Sequence, residues 1–242
     1  AWTADSGVLD EVVITGGSGV VGLHLARRLA AQGARRIVLL SRSGVDPAHL
    51  AELDAEVIAP RCDITDPATL AAAIIETGST AASLVIHAAG SATIAEHGRL
   101  NGAAFAETMS AKVNGFDRLA ATWPLRSDAR ILLCSSVSGM WGGIGHIAYA
   151  AANRLLDVAA AQHRAQGRRC TAVRWGLWPG NGIIDESESA RVQRSGLQPM
   201  RPDRAAEVCL RDWAGDPLAF TADGHRLRTF LGEADEPAAT AA

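Results

Sequence analysis

Tyr149 is the only tyrosine of this chain and Lys112 its only lysine, so both survive in a composition that otherwise avoids their types. Ser136 closes a short apolar run; Tyr149 follows thirteen residues later, and Asn153, four residues further on, shares a helix face with it. A carbonyl that accepts hydride needs a proton donor for the nascent alkoxide and a hydrogen bond to hold its oxygen. A tyrosine and a serine supply both. A phenol near its reference pKa of about 10 is a slow acid at neutral pH, so this chemistry requires a nearby cation. Each residue also has an ordinary alternative: a buried phenol with a satisfied hydroxyl, a serine at a strand end, a helix-interior asparagine, a surface lysine.

Short apolar runs alternate with helical segments along the whole chain: runs at 11–15, 36–41, 55–62, 83–90, 130–136 and 170–176, and helices at about 20–32, 101–122 and 147–166. The runs are apolar throughout instead of alternating, as parallel strands covered by helices on both faces must be. The expected fold is α/β, a Rossmann-type doubly wound parallel sheet, in one domain over 1–234 with a tail at 235–242. After Trp178 the pattern loosens. A segment leaving a strand's C-terminal end lies over the ligand crevice of such a sheet, so about 178–201 reads as a substrate lid, before a further helix near Asp203.

The first run ends in Thr15 and passes into Gly16-Gly17-Ser18-Gly19-Val20-Val21-Gly22 before a helix, the context a dinucleotide turn requires. Gly17 and Gly19 permit the tight turn and close backbone approach, Gly22 lets the helix lie against the strand, and the helix N-terminus faces a pyrophosphate. The second run ends in Ser41-Arg42-Ser43 instead of an acidic residue, which suits the 2′-phosphate of NADPH, with a solvated surface arginine as the alternative. Asp63, followed by Ile64, is a candidate partner for the adenine amino group, or else Asp63 or Thr65 caps a helix.

The net charge of −3 and the absence of a basic stripe exclude a nucleic-acid binder. No run approaches the roughly 20 apolar residues of a bilayer span, so the expectation is a soluble, cytoplasmic protein with no membrane partner. Cys62, Cys134, Cys170 and Cys209 are far apart with no C-x-x-C pair, which predicts reduced core thiols and no metal site. Apart from His146, taken up below, the histidines (His24, His49, His87, His97, His163 and His225) receive no role.

Taken together, TGGSGVVG, LLSRSG, IHAAG, SAKVNG, CSSVSGMWG, YAAAN and VRWGLW occur in one order over nearly the whole chain. They resemble the ketoreductase domains of modular polyketide synthases, a branch of the short-chain dehydrogenase/reductases. In that branch lysine and asparagine exchange places, which accounts for Asn153 after the tyrosine and for the lone Lys112. The resemblance implies Tyr149 as general acid, Ser136 on the substrate carbonyl, Lys112 lowering the tyrosine pKa and contacting the cofactor ribose, and Asn153 ordering a relay water. It adds Ala88, Ala89 and Gly90 to the cofactor site, and Leu177 and Trp178 to the substrate side. The implied substrate is a β-ketoacyl thioester on an acyl carrier protein, whose acidic surface Arg191, Arg194 and Arg201 could meet. Such ketoreductases also carry a structural half before the catalytic one; this chain begins just before its first cofactor strand, so that half is expected as a separate or removed partner, with Trp2 as a remnant of the junction.

The resemblance extends to stereochemistry. A tryptophan eight residues before the tyrosine, here Trp141, accompanies an L-alcohol (A-type), and His146, three before it, resembles the marker of the A2 subtype with an L-oriented α-substituent. The Leu-Asp-Asp motif of the D-forming type is replaced by Ser91-Ala92-Thr93-Ile94-Ala95. Trp141 as a packing aromatic and His146 as a helix cap are the alternatives. At the level of function they are a free-standing reductase of a small ketone, a non-catalytic nicotinamide-binding scaffold, and a domain that only epimerises the α-carbon.

Overall fold

The computed structural model describes residues 2–91, 101–180 and 186–232. The chain runs β1 (Glu11–Thr15), α1 (Val20–Ala31), β2 (Arg36–Leu40), α2 (Pro47–Ala51), β3 (Glu56–Ile58), α3 (Pro67–Thr77) and β4 (Ala82–His87). Next come α4 (Gly102–Met109), a π-helical segment Ser110–Asn114, α5 (Gly115–Thr122), β5 (Leu125–Ser136), α6 (Ser138–Trp141), α7 (Ile147–Ala165) and β6 (Arg169–Trp175). The last part holds α8 (Glu186–Arg194), β7 (Leu197–Gln198), α9 (Pro202–Cys209), β8 (Leu218–Ala219), β9 (Thr221–Ala222) and α10 (Gly224–Phe230).

Seven strands form one parallel sheet in the order β3-β2-β1-β4-β5-β6-β8. The order reverses between β1 and β4, and ligands of such sheets bind at the carboxyl ends beside that reversal. Alternation along each strand builds a core on both faces. Val12, Ile14, Ile37, Leu39, Leu84 and Ile86 face α1 and α9, while Val13, Val38, Leu40 and Val85 face α3 and α5. A third cluster, with Phe116, Ile131, Leu133 and Leu156, seats α7. None of the described helices is long and apolar enough to cross a membrane.

Three local outcomes differ from the sequence reading. The helix expected over about 101–122 is broken by the π-helical segment that contains Lys112. Neither Asp63 nor Thr65 caps α3: the Asp63 carboxylate accepts from the Thr65 N–H and hydroxyl at 2.9 and 2.7 Å, and Asp66 is the cap, accepting from the Ala68 N–H ahead of Pro67. The seventh sheet strand, β8, is two residues long, too short for a hydrophobic period to register. Cys62, Cys134 and Cys170 are buried free thiols, with burial pushing them up to about 11, 11 and 12. Trp2 is buried in the main core, and its backbone N–H donates to the Leu210 carbonyl at 3.2 Å.

Candidate active site

β5 carries Ser135 and Ser136 to the carboxyl edge of the sheet. The Ser135 hydroxyl donates to the Asn153 carbonyl at 3.1 Å, which fixes the first half of α7 against the strand. Four residues beyond Asn153, α7 is tied to β6 by Asp157, buried and 2.8 Å from Arg174 Nε. Gly139 permits the close approach of α6, because a Cβ there would stand 3.1 Å from the Arg154 nitrogen. Tyr149 thereby lines the same cavity as Ser136.

Lys112 reaches the same point from the opposite side. Its π-helical segment turns the side chain inward, where Nζ donates to the Cys134 carbonyl at 2.9 Å and lies 5.7 Å from the Tyr149 ring centroid. Burial pushes the Lys112 ammonium down to about 8, so it remains a cation at neutral pH. The Tyr149 phenol is above its ordinary value, because burial outweighs the hydrogen bonds from Ser136 and Asn153. In the chain alone no lowering by Lys112 offsets that burial. Asn153 Nδ2 donates back to the Tyr149 carbonyl at 2.8 Å, and its buried Oδ1 has no hydrogen-bond partner among the described residues.

In front of these groups lies a cavity of about 140 Å³ walled by Ser136, Trp141, His146, Tyr149 and Leu177 on one side and by Glu188, Arg191 and Val192 of α8 on the other. Trp141 packs edge-on against Phe220, centroids 5.9 Å apart, and still lines the cavity. His146 is the residue before α7, yet its side chain makes no capping bond. Instead Nε2 donates to Glu188 Oε1 at 2.7 Å, the other Glu188 oxygen meets Arg191 at 2.7 Å, and Arg191 also donates to the Ile144 carbonyl. Arg191 is thus tied to Glu188 with 35% of its side chain exposed, while Arg194 and Arg201 are exposed. Trp178 is corrected: it is buried in the core between Trp175 and His24, at centroid distances of 5.2 and 5.9 Å. Residues 181–185 of the expected lid and Ala92–Ala95 lie outside the described residues. Glu188 escaped the sequence reading, although its spacing of three from Arg191 on a helix was a usable signal.

A second cavity, about 590 Å³, opens at the β1–β4 reversal. Its lining includes Gly16, Ser18, Gly19, Val20, Gly22, Ser41, Arg42, Asp63, Ile64, Ala88, Ala89 and Gly90, while Thr15 and Gly17 support it from behind. Gly16 has φ 69°, and a Cβ there would meet the Ala88 and Ala89 backbone at 2.8 Å; on Gly22 one would meet the Gly16 carbonyl at 2.4 Å. The N-terminus of α1 has no side-chain cap, which leaves first-turn N–H groups for an anion. The Ser18 and Ser41 hydroxyls are 2.7 Å apart, and Arg42 is exposed at the rim beside Asp63. Asp63 is held below its usual range, first by the Thr65 hydroxyl, with Arg42 adding to the effect. The shape and the uncapped helix fit a dinucleotide. Gly90 lines this cavity, and a Cβ there would be 3.4 Å from Lys112 Nζ, while Tyr149 lines the smaller one.

Fold and cavities together are those of a nucleotide-binding α/β oxidoreductase. The model of the KR domain family matches residues 11–180. The erythronolide synthase EryA3 of Saccharopolyspora erythraea is 40% identical over 207 residues, 81% of this chain and 6% of that synthase. Among solved structures, the ketoreductase from the first module of phoslactomycin biosynthesis in Streptomyces sp. HK803 has a TM-score of 0.82 at 34% identity, covering 94% of this chain and 56% of that one. A structure described as A-type ketoreductases from a modular polyketide synthase has a TM-score of 0.81 at 32% identity, covering 95% of this chain and 51% of that one. The chain belongs to the KR domain family, the ketoreductase domains of modular type I polyketide synthases. It spans about half the length of the solved ketoreductase chains and a small part of the synthase.

Proposed function

We propose that this domain reduces the β-keto group of an acyl thioester carried on an acyl carrier protein, uses NADPH, and forms an L-3-hydroxyacyl product of A type, with an L-oriented α-substituent where one is present. The observation that carries the reading is the position of Lys112 between Tyr149, which with Ser136 lines an apolar-walled cavity, and Gly90, which lines a dinucleotide-shaped one. A bound dihydronicotinamide supplies hydride. The Ser136 hydroxyl holds the ketone oxygen, and Tyr149 gives its phenolic proton to that oxygen as negative charge develops there. Lys112, cationic at neutral pH, stabilises the phenolate left behind, and Asn153 Oδ1 is placed to accept from a water that returns the proton. Ser18, Ser41 and Arg42 would hold the 2′-phosphate side of the cofactor, and the N-terminus of α1 its pyrophosphate.

The L-configuration is supported by Trp141 and His146, which line the cavity beside the tyrosine and can favour one ketone face over the other. Arg191, Arg194 and Arg201 are candidates for the acidic carrier, and a ketoreductase structural subdomain is the further partner. The test is incubation with NADPH and a 2-substituted β-ketoacyl thioester, following absorbance and resolving the alcohols by chiral chromatography. The expected product is the L-alcohol, with altered diastereomer ratios in Trp141→Ala and His146→Ala. A predominantly D-alcohol from the unaltered protein refutes the stereochemical assignment, and no NADPH oxidation refutes the reduction.

A further inference from the structure

His87 ends β4 with no exposed surface, and a buried imidazole must find partners on both nitrogens. Nε2 is 3.0 Å from the backbone carbonyl oxygen of Lys112 and Nδ1 is 2.8 Å from Thr15 Oγ1. A carbonyl oxygen only accepts, so the ring hydrogen is on Nε2. Nδ1 must then accept from the Thr15 hydroxyl, whose oxygen in turn accepts the Ala89 N–H at 3.2 Å. One neutral tautomer satisfies every bond. Burial and the neighbouring Lys112 charge push the imidazole down to about 3, so it keeps that tautomer across the physiological range.

These partners are the segments that must stay in register for the reaction. Thr15 leads into the glycine turn; Ala89 and Gly90 line the dinucleotide cavity; the accepting carbonyl belongs to Lys112 itself, inside the π-helical segment. Such segments depart from the ordinary helical ladder and need support from outside it. Lys112 is therefore gripped twice, by His87 at its backbone and by the Cys134 carbonyl at its amine.

We propose that His87 is a positioning residue: it holds the π-helical turn so that the Lys112 amine stays under Tyr149 and in register with the cofactor turn. The inference rests on the reading of Lys112 as the cation that supports Tyr149. Because Lys112 is the only lysine, lysine labelled with ¹³C at Cε gives a single signal whose shift follows pH. In the unaltered protein the expected midpoint is about 8, against 10.5 for an ordinary lysine. His87→Phe keeps the bulk but neither hydrogen bond, and should move the midpoint up by about one unit or more as the amine regains water. Ketone reduction should fall roughly tenfold to a hundredfold, as expected for a misplaced catalytic group. His87→Gln presents a donor and an acceptor at similar spacing and should restore both readouts. Circular dichroism checks the fold; if His87→Phe does not fold, Thr15→Val, which removes only the hydroxyl that orients the ring, should move the signal in the same direction. A lysine midpoint unchanged in folded His87→Phe, or in Thr15→Val where that variant carries the test, overturns the positioning role. Wild-type turnover in Lys112→Met instead overturns the reading of the lysine, and with it the claim that His87 serves the reaction, whatever the signal shows.

Discussion

Replacing Glu188 tests whether the α8 wall of the substrate cavity is held by one carboxylate. α8 has no fully buried side chain, so apolar packing contributes little to its docking. The Glu188 carboxylate, only 12% exposed, takes both the His146 and Arg191 hydrogen bonds at 2.7 Å. Hydrogen bonds to charged groups contribute about 1.5–3 kcal/mol each, and two on one carboxylate are not additive; their joint loss is about 2–3 kcal/mol, or roughly 30- to 150-fold in the closed-to-open ratio. In Glu188→Ala, amide hydrogen exchange over 186–194 should therefore accelerate by about that factor, and KM for a long acyl thioester should rise more than kcat falls. Burial raises the Glu188 pKa, but the Arg191 and His146 hydrogen bonds outweigh it and hold the carboxyl below its ordinary 4.5. A depressed carboxyl contributes its full stability above 4.5 and loses it as pH falls through the lower folded value, so the difference between wild type and Glu188→Gln should persist down to 4.5 and shrink below it. Exchange in α8 that is identical in wild type and Glu188→Ala would refute the latch.

Tyr149→Phe removes the proton donor and keeps the ring, so turnover should fall by about 10²-fold or more with cofactor affinity nearly unchanged; stopped-flow reduction and fluorescence titration measure the two. Arg42→Ala should weaken NADPH binding by about 1.5 kcal/mol, the low end for a charged hydrogen bond because the site is exposed, and leave NADH binding unaltered. Equal loss for both cofactors, measured by calorimetry, would place the phosphate elsewhere. Arg174→Ala leaves the Asp157 carboxylate, only 2% exposed in the middle of α7, with Arg154 at 3.6 Å as its remaining ion-pair partner. The cost should be about 3 kcal/mol, a fall in Tm of roughly 6–12 °C by scanning calorimetry, and a change under 2 °C would show that the pair is not a determinant of stability.

The sequence alone determined the features whose causes are local. β1 and the turn from Gly16 to Gly22 are legible because a tight backbone requires glycine whatever surrounds it, and Tyr149 and Asn153 share a face because four residues make about one helical turn. The alternation of apolar runs and helices likewise led to the parallel sheet, since burial on both faces leaves its mark on every strand. Family motifs supplied what period and spacing could not, the pairing of Lys112 with Tyr149. Only the tertiary structure decided which distant groups share a hydrogen bond: His87 with the Lys112 carbonyl, His146 with Glu188, and Trp178 with the core instead of the cavity. It also set the sign of the Tyr149 shift, because burial is a property of the assembled surroundings and not of neighbours along the chain. A polar residue closing an otherwise apolar strand, as His87 does, signals that a partner exists; which atom it is depends on how the strands and helices cross, and no local pattern encodes that.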